Sequence, residues 1–203
     1  MKRLTKIMVA VLLALSTVAF TACEELSQIA NQAAQVLNLK NCDFSVNGIN
    51  QINMLGIDLS KGMDKNSLTA TQILNVTNAL IKKELPVSFN VNIDVDNPNS
   101  IAATLGKMDY IIALNNREII SSTFNQGFSI PANSKGQVSI PITTDLFKLF
   151  SSETGDAILN LAFKLAGAKS DPVNLGVKVK PYIKINNQSM AYPDYITIDK
   201  LLE

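Results

Sequence analysis

"FNVNIDVDNPNS", residues 89–100, alternates apolar and polar side chains and then breaks at a proline. Phe89, Val91, Ile93 and Val95 fall on one side of an extended chain, and Asn90, Asn92, Asp94 and Asp96 on the other, with Ser88 extending the polar row. A period of two describes a β-strand with one buried and one wet face. The two aspartates raise a competing reading, a cation site. They project from the same face, roughly 6.6 Å apart along the strand. Calcium takes six to eight oxygens at about 2.3–2.6 Å, from a loop that folds around the ion. An extended strand does not wrap, and Pro98 holds Asn97 extended while Asn97 and Asn99 satisfy local backbone groups. The stretch reads as a strand end, with Asp94 and Asp96 as weak metal candidates only.

Outward from it, the same period recurs. Met108, Tyr110, Ile112 and Leu114 form a second alternating set, "NNRE" (115–118) a hairpin turn, and "IPANSKGQ" (130–137) another turn. Val138, Ile140 and Ile142 alternate next. In "VNLGVKVKPYIKIN" (173–186), Val173, Leu175, Val177, Val179, Ile183 and Ile185 share a face, with Lys178, Lys180 and Lys184 opposite. Pro181 cannot donate to a ladder and argues for an edge strand or a bulge. "YITID" (195–199) closes the sheet. Upstream, "CDFSVNGINQINMLGIDLS" (42–60) alternates with interruptions at Gly48 and Gly56, the marks of bulges or a tight hairpin.

Two segments change period. In "SLTATQILNVTNALIKKE" (67–84), Ile73, Val76, Leu80 and Ile81 run along one helical face, Lys82 and Lys83 suit the last turn, and Pro86 ends the helix. In "DLFKLFSSETGDAILNLAFKLAGAK" (145–169), Asp156 caps a helix carrying Ile158, Leu161, Ala162 and Leu165, with Leu159 and Phe163 beside them. That helix packs across the open end of a sandwich, or forms a partner-docking surface, or walls an apolar cleft with Phe147 and Phe150. The pattern as a whole is a mainly β chain, a β-sandwich with two or three added short helices.

The chain begins with Lys2, Arg3 and Lys6, followed by an uncharged run over 7–20. Fourteen residues span about 21 Å as a helix, short of a ~30 Å hydrocarbon core, so this is an export signal rather than a span. "FTAC" (20–23) resembles the lipobox of bacterial lipoproteins, which implies cleavage before Cys23 and lipidation of its thiol. Glu24 and Glu25 resemble the export signals of Bacteroidetes lipoproteins. Residues 1–22 are then signal peptide and 23–42 a tether or short helix, with Leu26, Ile29, Ala33 and Leu37 near one face. A single domain occupies 43–203. Expected are an outer-membrane lipid anchor in the cell envelope, on the periplasmic or surface face, and a monomer.

Without Lys2, Arg3 and Lys6, fifteen basic side chains oppose 17 acidic ones, a poor match for nucleic acid. If Cys23 carries lipid, Cys42 stands alone as a small buried hydrophobe or a reactive thiol. The chain has no histidine, which removes the commonest general base, the Ser-His and Cys-His pairs and nearly all zinc sites. No phosphate loop or nucleophile elbow is present. No catalytic residue and no cofactor is expected.

"VNIDVDNPNS" with "IAATLGKMDYIIALNNREIISSTFNQGFSIPANSKGQVSIPITTDL" resembles the late embryogenesis abundant type 2 family, or WHy domain. The motif residues are Asn97, Pro98, Asn99 and Tyr110, with a strand end near Gly127 and "KGQVSIPI" after it. The resemblance covers 86–145 and extends to 173–186. It implies an immunoglobulin- or fibronectin-III-like sandwich and a non-enzymatic domain tied to stress tolerance. The alternatives are a carrier of an apolar ligand between the 145–166 helices and the sheet, and a calcium-dependent adhesion module using Asp94 and Asp96.

Overall fold

A computed structural model describes residues 38–39, 41–59, 63–168, 173–185 and 188–202. The lipobox, the tether residues up to 37 and Cys23 lie outside these.

Besides a 3-10 turn at Lys65–Ser67, the elements follow in the order β1 (Asp43–Met54), β2 (Ile57–Asp58), α1 (Ala70–Lys82), β3 (Pro86–Asn97), β4 (Ala103–Leu105), β5 (Lys107–Leu114), β6 (Arg117–Phe124), β7 (Phe128–Ile130), β8 (Ser134–Asp145), α2 (Leu146–Leu149), α3 (Gly155–Leu165), β9 (Val173–Ile185), β10 (Gln188–Ala191) and β11 (Ile196–Leu202). One antiparallel sheet has the order β2-β1-β3-β8. A second runs β10-β9-β5-β6 with β11 also on β9, and β4 pairs with β7. The fold is mainly β and sandwich-like.

The alternation around residue 89 sets its core. Val87, Phe89, Val91, Ile93 and Val95 are all buried, and in register Phe89 meets Ile142, Val91 meets Ile140 and Ile93 meets Val138. The second sheet answers with Tyr110 opposite Val179, Ile112 opposite Val177 and Leu114 opposite Leu175. Both inner faces join one apolar cluster, each fully buried large side chain contributing about 1.5–3 kcal/mol.

Turns form where the backbone allows a left-handed conformation. Asn115 and Asn116, at φ 48° and 64°, join β5 to β6. Leu55 and Gly56, at φ 54° and 81°, join β1 to β2. Positive φ at both central residues matches the twist of the flanking strands. The anticipated bulges in β1 fall between Val46 and Gly48 and between Asn50 and Asn53. "IPANSKGQ" is a shorter turn than expected, since β8 already begins at Ser134.

Three expectations are corrected. Pro181 is not on an edge strand, because β9 lies between β5 and the β10/β11 pair. Its carbonyl accepts from the Tyr192 N–H at 2.7 Å. Pro181 lies where the ladder passes from β11, ending at Val179, to β10, beginning at Tyr182. In an antiparallel strand a residue's N–H and C=O point to the same neighbour. The donor Pro181 lacks therefore falls at a break in the ladder. α3 is capped by Thr154, whose hydroxyl accepts from the Ala157 N–H at 3.3 Å, and Asp156 sits in the first turn. α1 ends at Lys82 with Lys83 left-handed at φ 55°, and Pro86 already belongs to β3. Of the side chains of Ile183 and Ile185 nothing is described.

The helices gather at one end. Asp145, the last residue of β8, accepts from the Leu85 and Phe147 N–H groups, both at 3.0 Å, tying the start of β3 to α2. Residues 38–39 and 41–42 lie at the other end, where Asp43 pairs with Asp96. Twelve strand residues separate the two ends, roughly 40 Å.

Candidate functional site

The Asn-Pro-Asn that begins on the last residue of β3 builds a dense polar cluster. Asn97 has no exposed surface. Its Nδ2 shares two N–H groups among the carbonyls of Ile101 (3.0 Å), Ile130 (3.1 Å) and Pro131 (2.9 Å). Its Oδ1 accepts from the Asn99 N–H (3.2 Å), Asn99 Nδ2 (2.7 Å) and the Cys42 thiol (3.6 Å). Only a side chain with donor and acceptor on one plane serves both sets, so an amide is needed where a carboxylate would meet three carbonyls. Asn99 extends the cluster, donating to the Asn38 carbonyl at 2.9 Å and accepting from Asn41 at 3.4 Å. Its own carbonyl takes the Asn133 N–H at 2.9 Å. Pro98 is exposed, and Tyr110 lies in the core on the inner face of β5. The motif therefore clasps three stretches of chain, its own through Ile101, the one around Asn38 and Cys42 and the one from Ile130 to Asn133, at one end of the sandwich.

Cys42 belongs to this clasp as a buried thiol. Burial above all, then the carboxylates of Asp43 and Asp96, push its pKa up, so the thiol stays protonated at neutral pH. The buried-hydrophobe reading fits this surrounding better than the reactive one.

Asp94 and Asp96 share the outer face of β3, as the alternation requires, but both already have partners. Asp94 accepts from Gln137 Nε2 and Asn47 Nδ2, each at 2.7 Å. Lys135 reaches Asp96 at 2.7 Å. Among the described residues no three potential metal-ligating side chains stand together. Sequence alone did not point to Gln137 and Asn47, because register brings them alongside from 43 and 47 residues away.

These hydrogen bonds carry a pH signature. Gln137 first and Asn47 next hold the Asp94 carboxyl below its ordinary range. Thr123, then Tyr182, do the same for Asp109, at 2.7 and 2.6 Å. A carboxyl with a lowered folded pKa stabilises fully above the unfolded value of about 3.9 and loses that contribution as pH falls through the folded one. The melting temperature of wild type is expected to exceed that of Asp109→Asn at pH 6, with the gap closing as pH falls from the unfolded value of about 3.9 through the folded one. A gap independent of pH would mean that the Asp109 charge contributes nothing.

At the helical end an open cleft of about 900 Å³ lies between β5, β6, α3 and residues 64–66. Phe150, Ile158 and Phe163 line it as expected, while Phe147 does not. Arg117 lies at this cleft, its guanidinium 4.9 Å from the Phe150 ring and donating to the Leu149 carbonyl at 3.1 Å. The aromatic walls are nearly closed, Phe150 being 8% exposed and Phe163 4%. The lining mixes apolar groups with polar ones, Asn115, Glu153 and Asn160 being exposed among the latter.

Among the described residues no helix is long and apolar enough to cross a membrane. A search of curated proteins gives no match. Among solved structures, a protein from Archaeoglobus fulgidus is similar at 12% identity and a TM-score of 0.33, over 57% of this chain and 83% of that one. AT1g01470 from Arabidopsis thaliana is similar at 14% identity and 0.40, over 61% and 73%. A structure described as that of a late embryogenesis abundant (LEA) protein, At2g46140.1, is similar at 14% and 0.38, over 91% and 81%. Scores this low carry no argument about fold or function. The family model LEA_2, late embryogenesis abundant protein, matches residues 92–190, just under half of the chain. That match, running from within β3 to β10, supports placing this stretch with the late embryogenesis abundant type 2 proteins.

Proposed function

We propose that this chain is a bacterial envelope lipoprotein, of the kind found in Bacteroidetes, that displays a non-catalytic late embryogenesis abundant type 2 domain as a binding or stress-protective module. The observation that carries the module is the family match over residues 92–190. The anchor rests on "FTAC" and the basic, then apolar, residues before it. In this reading Cys23 receives the lipid, several acyl chains hold the protein to the outer membrane, and the domain works as a monomer with an immunoglobulin- or fibronectin-III-like sandwich. The clasp supports a scaffold role, since its polar groups are spent on backbone carbonyls and on one another. Carriage of an apolar ligand has weaker support, because the cleft's aromatic walls are nearly closed. Calcium-dependent adhesion has less, since Asp94 and Asp96 are already paired.

Cell fractionation tests the anchor. Wild type is expected in the outer-membrane fraction and Cys23→Ala in the soluble fraction or retained unprocessed. Identical fractionation of the two would overturn the anchoring.

A further inference from the structure

Three of the six large apolar side chains exposed among the described residues sit on one helix. On α1, Ile73 is 49% exposed, Leu74 64% and Ile81 74%. At 100° per residue, Ile73, Leu74, Thr77 and Ile81 occupy about 100° of arc. Val76 and Ala79 are buried on the other side, with Leu80 half-buried. The sequence places Ile73 and Ile81 on the core-facing stripe, but the structure turns both outward. α1 is nevertheless a firmly terminated helix. Thr69 and Gln72 form a capping box at 3.3 and 2.8 Å, and the Glu84 N–H closes the last turn on the Ala79 carbonyl at 3.0 Å. An apolar band held outward on a well-capped helix calls for an apolar environment.

Charge narrows the choice of occupant. From 65 to 83 no acidic residue occurs, while Lys65, Lys82 and Lys83 flank the band. The two acids just outside are Asp64 and Glu84. The Asp64 carboxylate is engaged by the Asn66 and Ser67 N–H groups and the Ser67 hydroxyl. Apolar residues bordered by lysines, with small polar residues between, are the composition of a helix lying in a lipid interface. A protein-facing helix gains nothing particular from excluding acids, whereas an anionic headgroup layer repels them.

We infer that the Ile73–Leu74–Ile81 face of α1 docks on an anionic lipid surface, with Lys82 and Lys83 meeting the headgroups. α1 runs into β3 at the end of the sandwich opposite Cys42 and Asp43. The face thus lies at the end of the sandwich about one strand length, roughly 40 Å, from the end where Asp43 pairs with Asp96, and a chain anchored by its N-terminus would offer it to a second surface.

The chain contains no tryptophan, so a single introduced indole reports on its own position. Full-length Leu74→Trp, reconstituted through its N-terminus in zwitterionic vesicles, is mixed with a second population of phosphatidylglycerol vesicles carrying brominated acyl chains. Docking is expected to shift the emission to the blue and quench it at least twofold. Tyr195→Trp, on the β10–β11 connection, is expected to stay unquenched. Adding Lys82→Glu and Lys83→Glu to Leu74→Trp is expected to weaken the apparent affinity at least tenfold, with an unchanged melting temperature showing that the fold is intact. No quenching of Leu74→Trp overturns the proposal. Equal quenching by zwitterionic brominated vesicles overturns the anionic preference. A blue shift without vesicles that rises with protein concentration assigns the face to a second copy of the chain and overturns the lipid assignment.

Discussion

Replacing Asn97 by alanine is expected to lower the free energy of unfolding by about 3 kcal/mol or more, measured by urea denaturation. The substitution removes a side chain with no exposed surface. It leaves the carbonyls of Ile101, Ile130 and Pro131 without their donor and Asn99 and Cys42 without their acceptor. A stranded buried polar group costs about 1–3 kcal/mol, and water reaching the rim relieves only some of them. Asn97→Asp separates this account from simple loss of packing. Its volume is nearly unchanged, but at neutral pH it aims a carboxylate at three carbonyls. Burial and those carbonyls raise its folded pKa, so its stability deficit grows as pH rises above about 4 and shrinks in acid. A deficit equal at pH 3 and pH 7 would mean that the cluster does not discriminate amide from carboxylate.

The second large effect lies in the core. Phe89→Ala is expected to cost about 3–5 kcal/mol, the range for emptying a buried aromatic position. Phe89 is 2% exposed and lies beside Ile142 across the ladder. Phe89→Leu keeps most of the volume and is expected to cost clearly less. Equal losses from the two would mean that ring shape, rather than buried volume, determines the packing there.

How much of this was legible in the sequence depends on the range of the interaction. Strands β3, β5, β8 and the first part of β9 show in the order of residues because alternation is local. Helix α1 was equally visible, but its orientation was not. Which arc of an amphipathic helix is buried depends on what stands beside it, and two of the four residues on the expected stripe face outward. Of the two readings of Pro181, the edge strand fails for a related reason, since a missing donor at a break in a ladder and one at a sheet edge leave the same mark in sequence. The Asn-Pro-Asn was read as satisfying local backbone, and in part it does, through Asn99 to Asn97 and Asn97 to Ile101. Its remaining partners lie 33 to 61 residues away, and only register brings them together. The same holds for the amides that occupy Asp94.

The clasp and the entry of the chain share one end of the sandwich, while α1, α2 and the cleft share the other. A tether leading to residue 38 would enter beside Asn97 and Asn99, so a load on the anchor would reach the domain at a densely hydrogen-bonded point. The proposed envelope role therefore depends on whether that anchor exists.

Intact mass spectrometry of the protein extracted from membranes tests this most directly. The account expects a chain beginning at Cys23 and heavier than its sequence mass by a diacylglycerol and an N-terminal acyl group, the addition absent from Cys23→Ala. A chain of unmodified mass, with residues 1–22 retained or cleaved elsewhere, would contradict it.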